Sequence, residues 1–488
     1  MKKEVGLTLA YRDMWQSWGP YFPYAAQLVE VAPAIIGMGC FDRVETNGGA
    51  FEQVCLLMGE NPNKAVREFT RPFREAGIRT QMLERGLSAL RMNPVPSDVR
   101  ELMFMVKKAQ GTDISRSFCG LNDHRNLLPS IEYAHKAGMV SQVALAISDS
   151  PVHTIGYYMS LVDKVLEYGC DEICIKDMSG VGKPAFIAEL ISGIKKQYPS
   201  LPVVYHSHGG PHFTVDSVLE AARAGADSMD VGIQPLAWGK GHPEVAAVRN
   251  LLVSDGFLVK DIDSEAYGEV QSLTRKYMNG FVEKGIQTVD GQTVDSKLLS
   301  GCTLPGGMIG SLVADLPGFL DAVNFALRTQ GRPEISLDQL TVELLQEVEY
   351  IWPRLGYPPL VTPFSQYVKN TALMNILNMY KGLSRWTTID RDTWNMILGR
   401  MGQLPGGLDP ELLALAAQKG YEFQTQTPQD LFPNELDRFR TVMIEKGWEL
   451  GQDEEELLEF AMHERQYRGY KKNSYYFCAP FENSLQDR

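Results

Sequence analysis

The chain has 488 residues, 44% apolar and 22% charged, with a formal net charge of −13. That length exceeds one simple core and predicts two or three domains of an ordinary globular protein. The acidic balance argues against a nucleic-acid surface, and the lack of any apolar run of about 18 residues argues against a membrane-spanning helix. The start, Met1-Lys2-Lys3-Glu4, carries no apolar signal region, so a cytoplasmic location is expected. Seven cysteines (Cys40, Cys55, Cys119, Cys170, Cys174, Cys302 and Cys478) are scattered without a CxxC pair, as suits a reducing compartment.

Eight short strand-like runs occupy the first half, at 5–13, 40–47, 78–85, 114–119, 142–148, 172–177, 202–208 and 228–233. Helical patterns lie between them, several ending in glycine, as at Ala76-Gly77, Ala137-Gly138 and Ala224-Gly225. Eight consecutive β-α units predict a (β/α)₈ barrel over 1–252, with a doubly wound open sheet as the alternative. Beyond it, helical patterns and turn-rich loops predict a mainly helical domain over 253–430 and a helical extension over 431–488. The acidic run at 453–459 reads as a solvated helix face. The aromatic, basic stretch after Tyr467 reads as packing or self-association surface.

Two of the strands end in groups that bind metals. Ile173-Cys174-Ile175 runs into Lys176-Asp177, and Val203-Val204-Tyr205 runs into His206-Ser207-His208-Gly209-Gly210. The period-2 alternation of a strand puts His206 and His208 on one face. Alone, such a pair reads equally well as an ordinary polar strand end. With Asp13 from strand 1 it offers two nitrogens and an oxygen to Zn, Mn or Co. A cationic Lys176 would repel a metal and salt-bridge a carboxylate instead. Neutralised by burial and carboxylated by CO₂, it would become an anionic oxygen ligand.

Several longer motifs occur together: Arg12-Asp13 with Gln16-Ser17, Leu121-Asn122-Asp123 with Arg125-Asn126, Ser150-Pro151-Val152-His153-Thr154, Pro305-Gly306-Gly307-Met308, and 355–366. In these the chain, over about 5–420, resembles the biotin-dependent carboxyltransferases: the pyruvate carboxylase carboxyltransferase domain, the oxaloacetate decarboxylase α subunit and the large transcarboxylase subunit. The resemblance implies a barrel followed by a helical funnel domain. It puts Asp13, carboxylated Lys176, His206 and His208 at the metal-ligand positions. It puts Arg12, Gln16 and Arg85 at positions that meet the acid substrate, with Gln16 also catalytic. Thr362, Ser365 and Gln366 fall where biotin is received, although Ser365 also reads as a helix cap.

The chain departs from the family on the substrate side. Lys240, in Trp238-Gly239-Lys240-Gly241-His242-Pro243, stands where a proton-shuttling threonine is expected, and Cys119 stands where keto-acid enzymes carry aspartate. Both are candidate catalytic residues. Gly209-Gly210 follows the histidine pair in place of more polar residues. No Met-Lys-Met biotin-attachment site occurs, so biotin is expected on a separate carrier protein. The expected partners are that carrier and a biotin carboxylase subunit, or membrane decarboxylase subunits to which the chain would be peripheral, with the chain itself a homodimer. The reading is thus the carboxyltransferase subunit of a biotin-dependent carboxylase or decarboxylase acting on a small enolisable acid. The alternatives are a metal-dependent aldolase or lyase on the same barrel and a non-catalytic scaffold subunit.

Overall fold

The computed structural model describes residues 3–19, 22–209, 213–283 and 306–473, with side chains between 280 and 315 left out. Gly210, Pro305, Cys302, Cys478 and the aromatic residues after Tyr470 lie outside what is described.

Eight parallel strands close into a barrel in sequence order. They are β1 (Gly6–Leu9), β2 (Phe41–Gly48), β3 (Arg79–Glu84), β4 (Ile114–Phe118), β5 (Val140–Ala146), β6 (Glu172–Asp177), β7 (Val203–Ser207) and β8 (Ser228–Val231). β1 pairs with β8 to complete the ring. The outward faces of the central strands are apolar: Ile173, Ile175, Val203 and Tyr205 join the large core beneath the helices. The inward faces carry buried charged and polar residues as well as apolar ones. Arg43 and Gln142 both donate to Glu172 at 2.8 Å, and Arg116 reaches Gln142 at 2.5 Å. An ordinary barrel of this type is filled by branched aliphatic side chains, whereas this one also holds paired charges in its interior. Burial costs such charges heavily unless each is matched.

Strand 1 is shorter than its sequence suggests. The Ala10 N–H bonds to Val231 O at 3.0 Å, and the chain then turns into a helix, Tyr11–Trp18. Tyr-Arg-Asp-Met-Trp-Gln-Ser contains no β-branched residue to favour a strand. Arg12, Asp13 and Gln16 are therefore helical, and Arg12 and Gln16 share a face at i, i+4.

The later helices wrap the barrel. Ser264–Glu283 packs on Ala25–Gly37, and Gly306–Thr329 touches both Tyr11–Trp18 and Phe364–Tyr380. The loop before Phe364 reaches the barrel mouth, where Val361 joins Leu83, Phe118, Ala144, Ala146, Cys174 and Val204 in one apolar cluster. No helix among the described residues is long and apolar enough to cross a membrane.

The acidic run near 455 is not solvated. Glu455, Glu456 and Glu459 are buried on the helix Glu455–Met462, which packs on Ser97–Ala109. Arg67 donates to Glu455 at 2.9 Å, Asn61 donates to Glu456 at 2.9 Å, and Lys107 pairs with Glu459 at 3.2 Å and Glu52 at 3.3 Å. The charges were legible; their cationic partners, some 350 residues earlier, were not. A second apolar cluster around Phe439, Met443, Leu457 and Phe460 seals this segment against Leu90, Val99 and Met103.

Burial, with Glu52 adding repulsion against the pull of Lys107, raises the Glu459 carboxyl from 4.5 to about 7. The folded state then binds more protons than the unfolded one between those values, so this group lowers stability as pH rises through them. Denaturant titrations should show that slope, and Glu459→Gln should flatten it. Lys107→Ala leaves two carboxylates without their cation and should cost about 3–5 kcal/mol. A loss below about 1 kcal/mol would mean that the pair is not buried as described.

Candidate active site

The site forms where β6, β7, the first helix and the loop after β8 meet. Lys176 and His206 face each other across the β6–β7 ladder, with Lys176 Nζ 2.8 Å from His206 Nε2 and 3.6 Å from Asp13 Oδ2. His208 follows two residues on, its Nε2 3.2 Å from that of His206. The helix start brings Asp13 over them: its Oδ2 lies 3.5 Å from His206 Nε2 and 3.7 Å from His208 Nε2. The four residues expected to bind metal are thus brought together.

A further residue, His242, belongs to the same cluster. Its Nε2 is 3.7 Å from Asp13 Oδ2, and Asp13, His206, His208 and His242 offer donor atoms all within 4.8 Å of one another. His242 lies in an aperiodic loop, and the available signal was a histidine set among glycine and proline just beyond the last strand.

Glycine explains how that loop arrives. A Cβ on Gly209 would collide with the Gly239 carbonyl, and one on Gly241 with the Leu236 carbonyl. Gly239 itself has φ +52°, a left-handed conformation that suits glycine. The Gly209 N–H bonds to Gly241 O at 3.0 Å. The loop therefore lies backbone to backbone on the end of β7, and the Lys240 carbonyl comes within 2.8 Å of His208 Nδ1. The lack of a side chain at Gly209 makes this contact possible. The Lys240 amine lies 6.0 Å from the centre of the Trp18 ring.

Electrostatics prepare these groups for a cation. Against burial, Arg12 and then Lys176 hold the Asp13 carboxyl well below the usual carboxylate range. Burial, reinforced by Lys176, pushes His206 well down, and burial with His208 pushes His242 to about 3. Burial also lowers the Lys176 amine, opposed by Asp13. Neutral imidazoles and an ionised carboxylate are the forms that ligate metals. The His242 Nε2 is buried and has no hydrogen-bond partner among the described residues, as expected of an atom reserved for an ion. The donor set fits a divalent metal.

Arg12 is wholly buried. Its Nε donates to Glu45 at 2.9 Å, and its Nη1 donates to Gln16 Oε1. The Ala50 N–H also reaches Gln16 Oε1, at 3.3 Å. The amide oxygen is thereby fixed by two donors. Arg85 donates to Gly49 O at 3.0 Å and to Arg91 O at 3.4 Å, and forms no ion pair within 4 Å among the described residues. Burial and the nearby Arg12 lower it to about 10, still cationic at neutral pH.

The remaining predicted residues sit on the seam between barrel and helical domain. Cys119, at the end of β4, receives a weak hydrogen bond from Asn126 at 3.4 Å, and burial pushes its thiol up to about 11. It is protonated at neutral pH. Gly120 packs against the Thr362 carbonyl and the Phe364 ring. Ser365 does not cap its helix: Phe364–Tyr380 has Pro363 at its N-cap with no side-chain bond. The Ser365 hydroxyl is buried inside the first turn without a partner among the described residues, while Gln366 is half-buried.

Comparison with known proteins agrees with this architecture. A family profile described as "Conserved carboxylase domain" matches residues 327–484, and one described as "HMGL-like" matches 124–248. The chain is 31% identical over 457 residues to a pyruvate carboxylase subunit of Methanocaldococcus jannaschii, covering 93% of this chain and 75% of the relative. It is 29% identical to the methylmalonyl-CoA carboxyltransferase 5S subunit of Propionibacterium freudenreichii subsp. shermanii, covering 89% and 81%. In fold it is similar to the carboxyl transferase domain of Rhizobium etli pyruvate carboxylase with pyruvate and biocytin, at a TM-score of 0.82 and 22% identity, covering 98% of this chain and 80% of that one. The lyase and scaffold readings give way: the chain belongs to the family of biotin-dependent carboxyltransferases, with the archaeal pyruvate carboxylase subunit and the 5S subunit among its relatives.

Proposed function

We propose that the chain moves a carboxyl group between carboxybiotin, delivered on a separate carrier protein, and a small enolisable acid. The observation that carries this reading is the convergence of Asp13, His206 and His208, with Gln16 on the same helix as Asp13 and with the Arg85 guanidinium, which has no carboxylate within 4 Å among the described residues. The relatives named for pyruvate and methylmalonyl-CoA support an acid with a carbonyl next to the carbon that gains or loses CO₂.

In this reading Arg85 holds the substrate carboxylate, since a guanidinium matches it with two parallel N–H donors. The Gln16 NH₂ donates to the neighbouring carbonyl oxygen, where negative charge collects as the enolate forms. Arg12 takes no direct part; it fixes the Gln16 amide and keeps Asp13 ionised. Asp13, Lys176, His206 and His208 hold a divalent ion of the Zn, Mn or Co type. Bound there, such an ion polarises a carbonyl oxygen and keeps the imidazoles in place. Lys176 serves as a carbamate: its neutral amine adds to CO₂, forms an N–C bond and releases one proton. The Lys240 amine at the mouth attracts the anionic substrate. Thr362 and Gln366, on the seam above β4, line the approach for biotin. The carrier and a biotin carboxylase subunit are the partners, the chain works as a homodimer, and its setting is cytoplasmic.

Three measurements check this. Metal analysis should find a stoichiometric divalent ion, and native mass measurement should find one added CO₂ on Lys176. Lys176→Ala should then bind metal at least about tenfold more weakly; equal affinity overturns the assignment of Lys176. Arg85→Gln should lose about 1.5–3 kcal/mol of interaction with the acid, about 10- to 100-fold in kcat/KM, and unchanged kinetics would remove Arg85 from the substrate site. Purification from the source cell should bring down a biotinylated protein, and its absence would contradict delivery of biotin in trans.

A further inference from the structure

Resting on the reading that the site holds a divalent ion, we propose that His242 is itself a ligand, so that three imidazoles and Asp13 form the donor set. The argument is one of tautomers. The two nitrogens of a neutral imidazole divide the work: the one that carries hydrogen donates, and the other keeps its lone pair. In each of the three histidines, Nδ1 faces a fixed acceptor. His206 Nδ1 lies 2.6 Å from Asp230 Oδ2, His208 Nδ1 lies 2.8 Å from Lys240 O, and His242 Nδ1 lies 2.9 Å from Ser207 O. A carboxylate and two carbonyls can only accept, so all three Nδ1 atoms carry the proton; Arg116 Nη1, 3.2 Å from His206 Nδ1, donates to the same Asp230 carboxylate, which is the nearer partner of that nitrogen. All three Nε2 atoms are then left with lone pairs, and all three lie 3.5–3.7 Å from Asp13 Oδ2.

This is the arrangement seen where histidines bind metals: one ring nitrogen on the ion and the other held by a carboxylate or carbonyl. The three rings are mutually packed, with centroids 4.3–5.1 Å apart. A histidine kept only for packing would be expected to find a partner for its second nitrogen, as buried polar atoms generally do. His242 Nε2 has none among the described residues, and the side chain is fully buried. Asp13, His206, His208 and His242 close four donors without the lysine. The Lys176 carbamate then adds a fifth, oxygen donor rather than completing a set of four.

The loop Trp238–Pro243 thereby gains a second task. Its backbone sets the tautomer of His208 through the Lys240 carbonyl, and its His242 side chain binds the ion directly. The Lys240 substitution leaves the first task untouched, because that task uses only a carbonyl.

The test is metal affinity, read by chelator competition on the purified full chain, together with the visible absorption of the Co(II)-loaded protein. His242→Ala should weaken binding by at least about 100-fold, at or beyond the upper end of what losing a supporting outer contact costs, and should shift the Co(II) bands. In the wild-type Zn-loaded protein, X-ray absorption should count three imidazoles on the ion, a readout that does not depend on the variant folding. Two imidazoles, or unchanged affinity and an unchanged Co(II) spectrum in His242→Ala, would overturn the inference while leaving the metal reading standing. A wild-type chain that binds no divalent ion would overturn the metal reading, and the inference with it.

Discussion

One buried guanidinium holds the barrel interior together. Arg116, in the middle of β4, pairs with Asp230 on β8, approaches Glu45 on β2 at 3.8 Å, donates to Gln142 on β5 and lies 3.2 Å from His206 Nδ1. Each contact hands charge onward. Against burial, Arg116 and then His206 hold the Asp230 carboxyl far below its usual range, and ionised Asp230 accepts from His206. Glu45 accepts from Arg12, and Arg12 fixes Gln16 and keeps Asp13 ionised. The His206–Asp230 pair and the Arg12–Gln16–Asp13 group thus share one electrostatic origin. An unmatched charge in such a place is costly, so the network is ordered as a whole.

Backbone contact completes what charge begins. The close fit of Gly209 on the 239–241 turn brings a carbonyl to His208 and carries His242 into the cluster. Gly209 and Lys240, two positions read from the sequence as unlike the family, belong to this one contact.

Much of this was legible in the sequence. Apolar runs about one β-α unit apart specified the barrel, and strand alternation put His206 and His208 on one face. The neighbouring strand ends placed Lys176 beside them. Three features escaped, each for a physical reason. The helix at Tyr11 replaces a strand because the β1–β8 pairing stops at Ala10. His242 lies in a loop whose course depends on a long-range glycine contact that has no periodicity. The glutamates near 455 looked solvated because their partners, Lys107, Arg67 and Asn61, meet them only in the folded chain. Arg116 could have been noticed: a charged residue inside the run Ile114-Ser115-Arg116-Ser117-Phe118 needs a buried partner.

The central claim is that this buried network, loaded with its ion, transfers a carboxyl group to and from biotin. The most direct measurement is isotope exchange. The purified chain, loaded with Zn, Mn or Co, would be incubated with free biotin and carboxyl-labelled acids such as oxaloacetate or methylmalonyl-CoA, and the label released or passed to biotin would be counted. The account predicts metal-dependent, biotin-dependent loss of label from at least one such acid, abolished in Asp13→Asn. Exchange that proceeds equally well in the metal-free chain, or in the absence of biotin, would contradict it.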